Sequence, residues 1–234
     1  MIDFLMKIFR ILFGIKEKSE IEEYEEKEEE IKQLNINEQL LPRGSQNRRG
    51  DAMRELRAIA IHWVANPGTT PTANRRWFES AQAFGSYQYL IGIDGEIMRV
   101  VPENEVAWHV GSSQNDPKSG KIYTDFARRL YGEDVCRNRT NNWHAIGIGL
   151  CHSAWDGLFT PATMDSLEKL VVDILTRNNR TVEILTTHWE TVGWKRCPLR
   201  WCDIPQEFIN FRRKINTMMP RNLQVPMSSI VQNY

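Results

Sequence analysis

The sequence predicts an α/β fold, a central mixed β-sheet flanked by helices. Two observations carry that expectation. Between about residues 51 and 216, short β-rich apolar runs alternate with segments of helical periodicity, the interleaving that layers helices on a sheet. Within that stretch Asp94-Gly95 separates two apolar runs, Tyr87 to Ile93 and Glu96 to Val101, which marks an antiparallel hairpin.

Each element has a local signal. Arg57 to Val64 (RAIAIHWV) is a short apolar strand, and a Pro-Gly turn with a Thr-rich stretch follows at 67–72. Asn74 to Ala83 reads as a helix with Trp77 and Phe78 facing inward. After the hairpin, Asp125 to Tyr131 reads as a short helix and Trp143 to Cys151 as another apolar strand. Thr160 and Pro161 open a helix with a capping hydroxyl and a proline at the first helical position. Its apolar residues Met164, Leu167, Leu170, Val171, Ile174 and Leu175 recur at helical spacing. Val182 to Thr187 is a strand ending at His188, and Pro205 to Ile215 is the final helix.

The 234 residues suit one catalytic domain with extensions, or two small domains. At 41% hydrophobic and 26% charged, the chain has the composition of a globular protein able to bury a core. The zero net charge hides an asymmetry: nine Glu against four Lys in 16–32 give −5, residues 1–15 carry +1, and residues 33–234 keep +4. That mild basicity suits an anionic polymer but is no nucleic-acid patch, so no nucleic-acid partner is expected. The organisation expected is an amphipathic segment at 1–15, an acidic helix and linker at 16–50, the main domain at 51–216 and a loose, aperiodic tail at 217–234.

In residues 1–15 the non-apolar positions Asp3, Lys7, Arg10 and Gly14 share one helical stripe. A helix of that length reaches ~22 Å, short of the ~30 Å hydrocarbon core of a bilayer. Contact with a membrane surface and packing on protein both stay open. A cleaved secretion signal fits least, because no small-residue cleavage site follows.

Two of the five histidines stand out by context. His62 closes the run IAIH and His188 closes ILTTH, so strands ending on one side of a sheet would bring the two imidazoles together. Cys197 comes nine residues after His188. Two His and one Cys suit zinc, with the fourth tetrahedral position left to water. Cys202 is the rival within the site, since a second thiolate would close it into a structural centre. On spacing alone a hydrogen-bonded strand-end His and a small buried Cys compete with a metal site. His144 and His152 have no assigned role, and Cys136 and Cys151 read as buried thiols.

The runs IAIHWVANPG, SYQYLIGIDGEI, VPENEVAWHVG, NNWHAIGIGLC and HWETVGWKRCP occur in that order. Over about residues 55–216 the chain resembles the zinc-dependent N-acetylmuramoyl-L-alanine amidases of the phage lysozyme-amidase and peptidoglycan recognition protein type. The resemblance implies a mixed sheet with flanking helices and one zinc ion per chain in a surface groove. It implies His62, His188 and Cys197 as ligands, the last at a position that is Cys in some members and Asp in others. Lys195 matches a catalytic lysine of the phage enzymes, and Tyr87 matches their catalytic tyrosine. Trp108 and His109 are candidates for lining the groove beside the metal, and Asn66, with Trp63 and Trp189, for shaping it.

The implied activity is hydrolysis of the amide between N-acetylmuramic acid and L-alanine in peptidoglycan, with the cell wall as the place of action. The alternative is a non-catalytic peptidoglycan-binding module; such relatives typically lack a metal ligand, most often the cysteine. Three departures stand out. Gly149 occupies a position where many bacterial members carry a catalytic Glu. The segment from His188 to Cys197 is one residue longer than in the phage relatives. Gln88 stands where His is frequent.

Overall fold

A computed structural model describes residues 34–234. The expectations for residues 1–15 and for the acidic stretch up to residue 33 lie outside the described residues. Among those described, no helix is long and apolar enough to cross a membrane.

Six strands form one mixed sheet: β1 (Ile36–Glu38), β2 (Ala58–Trp63), β3 (Tyr89–Ile91), β4 (Ile97–Arg99), β5 (Ala145–Leu150) and β6 (Leu185–Thr187). Their order across the sheet is β1-β4-β3-β5-β2-β6. Only β3 and β4, joined through Asp94-Gly95, run antiparallel; the other pairs are parallel. Parallel central strands are covered on both faces and therefore read as unbroken apolar runs. β2 and β5 are buried at every position.

The helices are α1 (Pro71–Glu79), α2 (Asp125–Tyr131), α3 (Glu133–Arg137), α4 (Pro161–Arg177), α5 (His188–Val192), α6 (Leu199–Asp203) and α7 (Pro205–Met218). Side chains alternate between the two faces of a strand, so Ala58, Ala60 and His62 share one face of β2. On that face Ala58, Ala60 and Ala145 join Ala127 and Tyr131 of α2, Cys136 of α3 and Val192 of α5 in one buried cluster. On the amphipathic helix α4, Leu167, Leu170, Val171, Ile174 and Leu175 are buried, and α4 packs against β3 and α7. Thr160 caps α4 by accepting from Thr163 N, with Pro161 at the first position, as the sequence predicts.

Several expectations are corrected. The first helix starts at Pro71, not Asn74, because Thr70 caps it and Pro71 fits its first turn. Its Trp77 faces outward, 51% exposed, not inward. Residues 182–184 form a 3₁₀ turn, so the strand there is only Leu185–Thr187, and His188 is the first residue of α5.

Residues 35–50 are not a linker. They add the edge strand β1, and Arg48 binds both carboxylate oxygens of Glu105 (2.8 and 3.0 Å) and donates to Leu41 O. Buried Asn47 donates to Phe78 O and Ala83 O and accepts from Gly85 N, which ties this segment to the 83–85 loop.

The 217–234 segment is not loose either. Leu223 and Ile230 are buried. Asn216 brackets Val225 through both amide atoms. Arg212 donates to Val231 O, and Tyr234 donates to Asp116 and packs edge-on against Trp189. Periodicity could not show this, because the segment docks through isolated apolar residues and backbone bonds. Ile230→Ala is expected to lower the urea unfolding free energy by about 2 kcal/mol or more, the usual range for a buried Ile; a loose tail would leave it unchanged.

Candidate metal centre

The parallel register decides the site. Ile61 pairs with Thr187 and His62 with Gly149, so β6 ends one residue short of the level of His62, and β2 and β5 end together just beyond it, at the same edge of the sheet. Parallel α/β sheets offer ligand crevices at such carboxyl edges. His62 is the penultimate residue of β2, and His188 directly follows β6. Thr187 and Glu190 form a reciprocal capping box at the start of α5, which fixes where His188 leaves the strand. Beyond α5 the chain returns, and Trp189 N donates to Cys197 O at 3.0 Å. Trp194 Nε1 donates to Ser112 Oγ at 2.8 Å and pins the intervening loop.

The result is one compact triad. His62, His188 and Cys197 are all buried, and each offers a ligand atom within 4.8 Å of the others. Among the described residues no other such group of His, Cys, Asp and Glu occurs. The His62 and His188 rings lie 4.9 Å apart, and Cys197 Sγ is 3.6 Å from His62 Nδ1. His188 Nδ1 is buried without a hydrogen-bond partner, and such an orphan is expensive unless something fills it. Cys202 does not join the triad; its thiol turns to Pro198 O at 3.0 Å.

The electrostatics suit the binding of a cation. Burial holds both imidazoles well below their ordinary pKa, helped at His62 by neighbouring His188 and at His188 by Lys195. Both rings therefore present neutral lone pairs. Burial pushes the Cys197 thiol up to about 11, against the pull of Lys195. A thiol in that state becomes a thiolate ligand only when a metal displaces its proton.

A groove of about 590 Å³ opens beside the triad, lined in part by His188, Tyr87, His109, Trp108 and Lys195. Lys195 is exposed, and Tyr87 is half-buried with its ring 4.9 Å from that of His62. Trp108 stacks edge-on with Trp143 and lies under the Arg49 guanidinium, 4.6 Å from its ring centre. His109 is buried, with its Nδ1 3.2 Å from His62 Nε2. Asn66 lies in an exposed turn, its carbonyl accepting from Thr69, and does not line the groove. Trp63 faces away from it and stacks on His152.

Gln88 is structural: it accepts from Gly147 N and donates to Glu105 O. Sequence reasoning missed Arg49 and Phe84, which also line the groove. Arg49 sat in the supposed linker, and Phe84, 90% exposed, sits in a loop without periodicity.

Gly149 now has a physical reason. A Cβ there would lie 2.5 Å from Tyr87 Cδ2 and 2.6 Å from Cε2. The Tyr87 ring therefore rests on the bare backbone at the position where the resemblance implies a Glu side chain in many bacterial members. Gly149→Ala is expected to lower the unfolding free energy by about 1–3 kcal/mol, the usual penalty for overpacking. An unchanged urea midpoint would show that Tyr87 is not held against this strand.

Comparison with known proteins agrees with this architecture. A family model described as N-acetylmuramoyl-L-alanine amidase matches residues 52–200. The N-acetylmuramoyl-L-alanine amidase BlyA of Bacillus subtilis (strain 168) is 24% identical over 180 residues, covering 76% of this chain and 46% of BlyA. The N-acetylmuramoyl-L-alanine amidase CwlL of Bacillus licheniformis is 22% identical over 177 residues, covering 74% and 44%. The chain thus spans about half the length of the curated relatives it matches. Among solved structures, the catalytic domain of XlyA superposes with a TM-score of 0.58 at 24% identity, covering 78% of this chain and 99% of that domain. PlyL gives 0.56 at 16% identity, covering 78% and 97%. The likeness to these structures shows the shared fold, and the family match across more than half of the sequence is decisive: the chain belongs to the N-acetylmuramoyl-L-alanine amidase family.

Proposed function

We propose that this chain hydrolyses the amide between N-acetylmuramic acid and L-alanine in bacterial peptidoglycan, using one zinc ion held by His62, His188 and Cys197. The observation that carries the reading is the triad: two neutral imidazoles and a thiol converge within 4.8 Å at a groove, with His188 Nδ1 left unpaired. That donor set suits zinc, and three protein ligands are the number found in catalytic centres. Cys202, bonded to Pro198 O, stays outside the set, which favours catalysis over a closed structural site. Zinc bound there supplies Lewis-acid chemistry, polarising the scissile carbonyl and acidifying the attacking water.

The chain's own groups do the rest. Lys195, on the groove wall, stabilises negative charge developing on the carbonyl oxygen. Burial raises the Tyr87 pKa, so its phenol keeps its proton and serves as a donor. It orients the water or passes a proton toward the leaving amine. The charged residues lining the groove are Arg49 and Lys195, with no carboxylate among them, a field that favours an acidic peptide stem. The products are glycan and a peptide with a free N-terminal L-alanine.

Incubation with purified peptidoglycan, followed by mass spectrometry, tests the reaction. Peptides with free N-terminal alanine are expected, lost with a chelator and in Cys197→Ser and restored to the chelated wild type by zinc. Cut sugars overturn the reading, and wall binding without products makes the chain a binding module. Lys195→Ala is expected to keep its zinc while turnover falls by about 10²–10³, the usual loss for an oxyanion donor. Metal uptake is also pH-dependent. The imidazoles are already neutral, whereas the Cys197 thiol, with its pKa near 11, must give up a proton. Below the pKa of about 7 usual for zinc-bound water, zinc affinity is therefore expected to rise about tenfold per pH unit, with one proton released per ion. Calorimetry in buffers of different ionisation heat would detect its absence.

A further inference from the structure

His109 makes two ring contacts that together have a fixed polarity. Its Nε2 lies 3.2 Å from Ala145 O, and its Nδ1 lies 3.2 Å from His62 Nε2. A carbonyl oxygen can only accept, so His109 Nε2 carries the ring proton and Nδ1 is a lone pair. That lone pair accepts from His62 Nε2–H. The remaining lone pair of His62 is then on Nδ1, the atom 3.6 Å from Cys197 Sγ. His188 obeys the same rule in a shorter chain: its Nε2 lies 3.3 Å from Gly111 O, which leaves Nδ1 free.

The placement of His109 is built rather than incidental. Asn142 Oδ1 accepts from the backbone N–H of both His109 and Val110, each at 2.9 Å. The ring lies against Gly147 so closely that a Cβ there would sit 2.6 Å from His109 Cγ. The imidazole is therefore clamped at its backbone, its face and its far nitrogen.

We propose that His109 is a positioning residue of the metal site. It accepts a hydrogen bond from His62 Nε2–H, holds that ring in the tautomer whose free lone pair is on Nδ1, the nitrogen that faces Cys197, and so sets metal affinity; it is not a grip on substrate. Groups in this position orient a ligating imidazole and raise its basicity. The affinity part rests on the zinc reading above.

The test uses the whole chain. Long-range ¹H–¹⁵N correlation on metal-free wild type reads the tautomer directly, and His62 is expected with its proton on Nε2. A proton on Nδ1 overturns the proposal without any variant having to fold. Zinc affinity is then measured by chelator competition. His109→Ala is expected to bind zinc about 10–100-fold more weakly, the usual loss for such a partner, and to show His62 in mixed tautomers. His109→Asn, which keeps an acceptor near the position of Nδ1, is expected to recover most of the affinity. Zinc binding unchanged in His109→Ala, with a raised KM for peptidoglycan, overturns the proposal and makes His109 a substrate contact. Wild type that takes up no zinc overturns the zinc reading instead, while the tautomer measurement still decides the His62–His109 polarity.

Discussion

Ile61 sits opposite Thr187 in a parallel pair, and the site depends on that register. It brings His62 and the residue after Thr187 to the same edge at nearly the same height. In a strand a one-residue slip turns every side chain to the opposite face, so a slipped β6 would carry His188 away from His62. The register is held because β2 is buried on both faces and paired on both sides, with β5 along its whole length and with β6 over Ile59 to Ile61. The capping box of Thr187 and Glu190 then converts the strand end into a helix start, and the returning chain delivers Cys197 over the same edge.

Around His62, the face of the sheet contributed by β2 and β5 is made of small residues. Ala58 and Ala60 on β2 lie beside Ala145 and Gly147 on β5, and Gly149 lies opposite His62. On the helix-covered part the alanines admit α2 and α3 closely. Toward the carboxyl edge the two glycines leave bare backbone on which two rings lie, His109 over Gly147 and Tyr87 over Gly149. One alternating motif, AIGIG, thus grades from helix packing to groove floor along a single strand. Tyrosine at 87 and glycine at 149 are one steric decision, because the ring fills the space a side chain at 149 would need.

Much of the fold was legible because its signals are local. Asp94-Gly95 marked the hairpin, Thr160-Pro161 marked the long helix, and the apolar runs around His62 and 145–150 marked the buried strands. The triad could be suspected from two strand-end histidines and a nearby cysteine, though their approach depends on strand order, which spacing does not encode. What stayed hidden was non-local. Arg48, Asn47 and Arg49 act through contacts with Glu105, the 83–85 loop and Trp108, and no periodicity announces them. The docking of 219–234 through Leu223, Ile230 and Tyr234 is hidden for the same reason. Asn66 failed as a groove residue because adjacency to a ligand in sequence is not adjacency in space when a turn intervenes.

The central claim is that this family member holds one zinc ion on three protein ligands and keeps a fourth position open. X-ray absorption of the zinc-loaded chain tests it most directly. The account predicts a four-coordinate ion with one sulfur at about 2.3 Å and the rest nitrogen or oxygen at about 2.0–2.2 Å. Two sulfurs would bring Cys202 into the centre, close the site, and contradict a catalytic role.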